Sequence, residues 1–148
     1  MATVDWDAHC QQTGRTPETF WYMADKYIYD VDHAIRLVHD GREPVELDEE
    51  STRFSVDTSS MDWDRVPQVK TQYPGIIAHI WYRTEEGEMV HGHLLIDGHH
   101  RAARCLQLEQ PFFVYLLTEE ESEAVLLKSP LKRQLQETAL AQGLERFH

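Results

Sequence analysis

The chain is short of cysteine, of basic residues and of long apolar runs, and each shortage removes a class of protein. With only Cys10 and Cys105 there is no disulfide framework, so the thiols are expected to be free. Lys and Arg number 14 against 26 Asp and Glu, a formal net charge of −12. That balance argues against nucleic acid as a partner, because a phosphate backbone is repelled unless the few basic groups gather in one place. No apolar run approaches the roughly 20 residues that span a bilayer, and no charged-then-apolar leader opens the sequence. No repeat, linker or low-complexity tract divides it. The expectation is one soluble, cytoplasmic domain over residues 1–148 with no membrane partner, and a hydrophobic content of 41% is enough to build its core.

What the chain does have is an unusual stretch from Leu94 to Arg104. The apolar run Leu94-Leu95-Ile96 stops at Asp97-Gly98 and restarts as a helix-forming segment opened by His99, His100 and Arg101. It reads as strand, tight turn, helix. The first N–H groups of a helix have no intrahelical partner and the helix dipole adds positive potential, so such a turn is a candidate anion pocket. Gly98 permits positive φ and close approach of backbone to ligand. Arg101 carries a planar fork suited to two phosphate oxygens, and Arg104, one turn on, is an accessory candidate. His99 and His100 are candidates for acid/base chemistry or phosphate contact, and Asp97 for orienting an imidazole, holding a metal or taking a proton. The structural alternative is that Asp97 caps the helix and Arg101 pairs with a nearby carboxylate. Cys105, close to Arg101 and Arg104, is expected to face the core, with a depressed thiol pKa as the reactive alternative.

The surrounding pattern gives a small mixed α/β domain. Thr16-Pro17-Glu18 reads as a helix start, and apolar residues from Phe20 to Val38 recur at three- and four-residue intervals, predicting an N-terminal helix over about 17–39 that ends at Gly41 and Pro44. Val45–Leu47 and Arg53–Val56 are short strand candidates. Ile76–Arg83 and Met89–Ile96 predict a hairpin turning at Glu85–Glu88. A helix follows over Ala102–Leu108, then a strand from Pro111 to Leu117. Thr118 with Glu119–Glu121 is an N-cap with an acidic first turn, and leucines after Pro130 predict a C-terminal helix over about 131–145.

Two further groups of residues carry possible chemistry. His91 and His93 project from one face of a strand, where His79 on the hairpin partner could join them, and histidines two apart on a strand suit zinc or another divalent ion. Exposed or hydrogen-bonded strand histidines are the structural alternative. Upstream, Glu46, Asp48, Glu49, Asp57, Asp62 and Asp64 are carboxylates that could serve as a base or hold Mg²⁺; Asp57 is favoured because it is read as closing a strand.

The loop also carries a resemblance. Asp97-Gly98-His99-His100-Arg101-Ala102-Ala103, followed by Leu106, Leu108 and Pro111-Phe112-Phe113-Val114-Tyr115-Leu116-Leu117, resembles the core motif of the ParB/sulfiredoxin-like superfamily across roughly residues 45–125. The pattern is nearest to free-serine kinases, whose loop reads Asp-Gly-His-Thr-Arg; Asp97, Gly98, His99 and Arg101 match it and His100 departs. His99 stands where sulfiredoxins have their catalytic cysteine, and ParB proteins have Gly-Glu-Arg-Arg in the loop, so neither of those activities is implied. The resemblance implies a phosphate-binding strand-loop-helix at Asp97 to Arg101; joined to the reading of the residues it gives an expected site for a nucleotide, ATP or ADP with Mg²⁺, at Gly98, His99, His100, Arg101 and Arg104, with Asp97, His99, His100 and Asp57 as catalytic candidates, Asp57 and Arg104 resting on the residue reading alone. The expected activity is a nucleotide-dependent phosphotransferase or phosphohydrolase acting on a small molecule. The alternatives are a non-catalytic nucleotide-sensing or protein-binding module, and a metal-dependent nuclease-like or DNA-binding protein.

Overall fold

In a computed structural model, residues 18–24 and 26–131 are described. Seven strands and four helices form a mixed α/β arrangement with two sheets. In chain order they are β1 (Thr19–Tyr22), β2 (Tyr27–Asp30), α1 (Val31–Val38), β3 (Val45–Leu47), α2 (Glu49–Asp57), β4 (Gly75–Arg83), β5 (Met89–Asp97), α3 (His99–Gln107), β6 (Phe112–Leu116), α4 (Glu119–Val125) and β7 (Leu126–Lys128). One sheet has the order β1-β2-β7 and the other β3-β6-β4-β5, in which β4 and β6 run parallel and the remaining pairs antiparallel. No helix among the described residues is long and apolar enough to cross a membrane.

The helix expected over 17–39 is a correction. Its first half is the β1–β2 hairpin, with Phe20 opposite Tyr29 and Tyr22 opposite Tyr27. Aromatic residues favour strands, and Met23 and Ala24 take positive φ values of 52° and 59°, a left-handed turn that no right-handed helix can pass through. The helix begins only at Val31, where the Asp30 carboxylate accepts from the His33 N–H at 3.0 Å. Arg53–Val56 is likewise helical: Asp48 caps α2 by accepting from the Ser51 N–H at 2.9 Å, Glu49 and Glu50 fill its first turn, and Thr52 and Val56, four apart, form its buried face. The 75–83 and 89–97 hairpin, the helix after the Asp-Gly turn, the 112–116 strand and the Thr118 N-cap with its acidic first turn follow expectation, and Glu121 adds the reciprocal bond of a capping box. Cys10, the Thr16-Pro17 helix start and, beyond Leu131, the expected C-terminal helix lie outside the described residues.

Two apolar cores lie on opposite faces of β4 and β5. Ile76, Ala78, Ile80 and Ile96 pack with Tyr27, Tyr29, Ala34 and Val38, whereas Ile77 and Leu95 pack with Ala102, Ala103, Cys105 and Phe112. The period-two alternation of a strand feeds both. β6 reaches only as far as Ile77 of β4, and other groups satisfy the edge beyond it. The His79 N–H donates to the Ser122 hydroxyl at 2.8 Å, and the Tyr29 and Tyr27 hydroxyls donate to the His79 and Trp81 carbonyls at 3.2 and 3.3 Å. Buried tyrosines here act as substitutes for a missing strand.

Candidate phosphate site at the start of α3

Backbone contact fixes the Asp97-Gly98 turn. Gly98 lies at φ 102°, and a Cβ added there would come within 2.9 Å of the Gly75 Cα. A Cβ on Gly75 would in turn meet the Asp97 carbonyl oxygen at 2.6 Å. The two glycines press the end of β5 against the start of β4 and aim the N-terminus of α3 outward. Gly75 was missing from the expected site because Pro74-Gly75 reads in sequence as an ordinary strand start; only the contact across the sheet reveals its role.

Among the described helices, α1, α2 and α4 are capped by Asp30, Asp48 and Thr118 side chains. α3 is different: its N-cap is Gly98, with no side-chain hydrogen bond. Asp97 does not cap the helix. It pairs with Arg101 at 2.8 Å instead, both side chains being about one-fifth exposed. The first N–H groups of α3 therefore border a cleft of about 950 Å³. Asp97, Gly98, His99, His100 and Arg101 all line it, and Arg65 and Lys70 add positive charge from the segment between α2 and β4. Phe20, Trp21 and Tyr73 supply aromatic wall, with Trp21 and Tyr73 more than half exposed.

The two histidines divide their work. His99 stacks on Phe20, ring centroids 5.1 Å apart and planes within 14°. Burial pushes its pKa down to about 4, Asp97 opposing and His100 adding to the shift, so the ring is neutral at physiological pH. The His100 Nε2 accepts from the Asp62 N–H at 3.2 Å and so fastens the 59–65 segment to α3; burial, followed by the Arg65 charge, lowers its pKa. Accepting that bond requires the nitrogen to be unprotonated.

Other expected members of the site lie elsewhere. Asp57 ends a helix rather than a strand, is exposed, and is not part of the cleft lining. Arg104 turns away and donates to Gln107 at 3.1 Å. Asp48 is occupied as a cap and Glu49 pairs with Arg53. The carboxylates lining the cleft are Asp97 and Glu18. Cys105 is buried, and burial raises its pKa against a smaller opposing effect of Arg101, which corrects the alternative of an activated thiol. His91 and His93 sit with His79 in a separate cluster on the β4–β5 hairpin. Comparisons with protein-family models, with curated proteins and with solved structures find no match to this chain.

Proposed function

We propose that the cleft at the start of α3 binds a phosphate-bearing ligand, a nucleotide such as ATP or ADP, and that the chain is a ParB/sulfiredoxin-like phosphotransferase or phosphohydrolase acting on a small molecule. The observation that carries this reading is the helix start itself. The one described α-helix that leaves its N-terminal amides without a side-chain cap does so at a cleft bordered by Arg65, Lys70 and Arg101, in a chain otherwise strongly acidic. Amides, dipole and guanidinium then act on the same anion. The volume falls in the range of small-molecule sites, and Trp21 and Tyr73 offer flat apolar surface for a base.

In this reading the amides of His99, His100 and Arg101 and the Arg101 fork hold phosphate oxygens and stabilise charge that builds on them during transfer. Arg65 and Lys70, whose side chains enter no ion pair with a carboxylate among the described residues, add further positive charge. Asp97 is the carboxylate suited to share a Mg²⁺ with the phosphates; the cation would supply charge neutralisation when bound. His99 is a weak base in the free protein, and an anion beside it would raise its pKa toward the range where it takes a proton from an acceptor hydroxyl. The resemblance of the Asp97–Arg101 loop to that of free-serine kinases supports a small hydroxylated acceptor.

The test is a thermal-shift panel of ATP, ADP and other nucleotides with and without Mg²⁺, on the wild type and on the Arg101→Ala and Lys70→Ala variants. A ligand at about a hundred times its dissociation constant stabilises the native state by about 2.7 kcal/mol, so binding is visible as a raised Tm. Both variants are expected to lose most of the shift. A shift undiminished in both would remove the cleft from the account.

A further inference from the structure

The β4–β5 hairpin carries a second concentration of chemistry, separate from the α3 cleft. His79 lies opposite His93 and Trp81 opposite His91 in the ladder. Because the His79 N–H and carbonyl and the Trp81 carbonyl all bond away from β5, these are non-hydrogen-bonded pairs, in which facing side chains approach most closely. Alternation puts all four rings on the face that holds Ile77 and Leu95. The His79 Nδ1 and His91 Nε2 face each other at 2.6 Å, the His79 and His93 ring centroids are 4.8 Å apart, and those of His91 and His93 are 5.2 Å apart. One ring nitrogen from each of the three lies within 4.8 Å of the others, and no carboxylate belongs to the group.

We infer that His79, His91 and His93 form a binding site for a divalent transition metal with zinc-like preference, leaving one coordination position open to water or a substrate atom. Three imidazole nitrogens at bond lengths of 2.0–2.1 Å around a tetrahedral ion stand about 3.3 Å apart, between the shortest and the longest separations here, so modest side-chain rotation closes the set. His91 and His93 are exposed and free to make that rotation. His79 is the fixed member: its strand is anchored through Ser122 and Tyr29, each only 1% exposed. Trp81, with its ring 5.0 Å from His91 and 5.9 Å from His79, walls one side. All-nitrogen ligation selects Zn²⁺, Co²⁺, Ni²⁺ or Cu²⁺ over Mg²⁺ and Ca²⁺, which take oxygen ligands.

The experiment titrates the full chain with Co²⁺, followed by its visible absorption and by displacement with Zn²⁺, alongside the His91→Ala, His93→Ala and His79→Gln variants. The wild type is expected to give the intense absorption of four-coordinate Co²⁺ at one equivalent, discharged by Zn²⁺. His91→Ala and His93→Ala are expected to weaken binding by more than about 100-fold, exceeding the loss caused by removing a supporting partner, with the far-UV spectrum unchanged. If His79→Gln disturbs folding, the two exposed positions still decide the matter. Equal binding by wild type and the His91→Ala/His93→Ala double variant would place the metal on other histidines and overturn the assignment; so would a wild type that binds no Co²⁺ or Zn²⁺ at micromolar concentration.

Discussion

At the scale of single residues, the candidate site depends on two glycines and a half-buried imidazole. Gly98→Ala would force an alanine to φ 102° and its Cβ to 2.9 Å from the Gly75 backbone. Urea unfolding is expected to show a loss of about 2 kcal/mol. Gly75→Ala should cost as much or more, since its Cβ would come within 2.6 Å of the Asp97 carbonyl oxygen and 2.7 Å of the Phe112 ring. His99 gives the stability a pH dependence. Its pKa of about 4 in the folded chain lies below the ordinary 6.5 or so of the unfolded chain, so the unfolded state binds more protons between those values and stability falls as pH drops from about 6.5 to about 4. The loss approaches 3 kcal/mol at the lower end, and His99→Gln is expected to flatten this part of the profile in urea titrations at successive pH values. That Asp97 to Arg101 come together at one cleft was legible because a Gly between an apolar run and a cluster of ionisable groups marks a tight turn into a helix. Gly75 and Lys70 were not, since their part in the site exists only through contacts made across the fold.

At the scale of elements, local end signals decided most of what the apolar pattern left ambiguous. The residues from Phe20 to Val38 fit a three-to-four spacing, yet Phe20, Tyr22, Tyr27 and Tyr29 meet across a hairpin; a dense aromatic run satisfies both periods, and the left-handed Met23-Ala24 turn leaves no mark in composition. Asp30 and Asp48, each two residues before the amide-donating partner's neighbour in the first turn, were the better boundary signals, and reading them as N-caps gives α1 and α2 their starts. The other end of α3 offers a prediction. Glu109 sits at φ 54°, with its N–H bonded to the Leu106 carbonyl and the Gln110 N–H to the Cys105 carbonyl, a Schellman ending whose left-handed position favours glycine. Glu109→Gly is expected to raise stability by about 1 kcal/mol, seen as a higher Tm. Arg42 ties three elements together, donating to Glu121 at 2.6 and 2.8 Å and to the Leu37 and Leu116 carbonyls at 3.2 and 3.0 Å. Arg42→Ala should therefore cost about 1 to 2 kcal/mol, more than an isolated surface ion pair would.

At the scale of the whole molecule, β4 and β5 feed two cores at once, with Ile76 and Ile96 on one side and Ile77 and Leu95 on the other. Neither core can open without disturbing the strands of the other, so near-UV and far-UV circular dichroism are expected to report coincident unfolding transitions over the described unit. In a chain of net charge −12, the proposed anion site relies on Arg65, Lys70 and Arg101 gathering at one cleft. The measurement that tests this most directly is a two-dimensional ¹H–¹⁵N NMR titration of the labelled protein with ADP in the presence of Mg²⁺. The account predicts progressive shifts concentrated in the amides of Gly98, His99, His100 and Arg101, with Lys70 and Trp21 following and the β4–β5 hairpin tip unchanged. Saturable shifts centred elsewhere, or none with ADP, ATP or inorganic phosphate, would contradict a phosphate site at the start of α3.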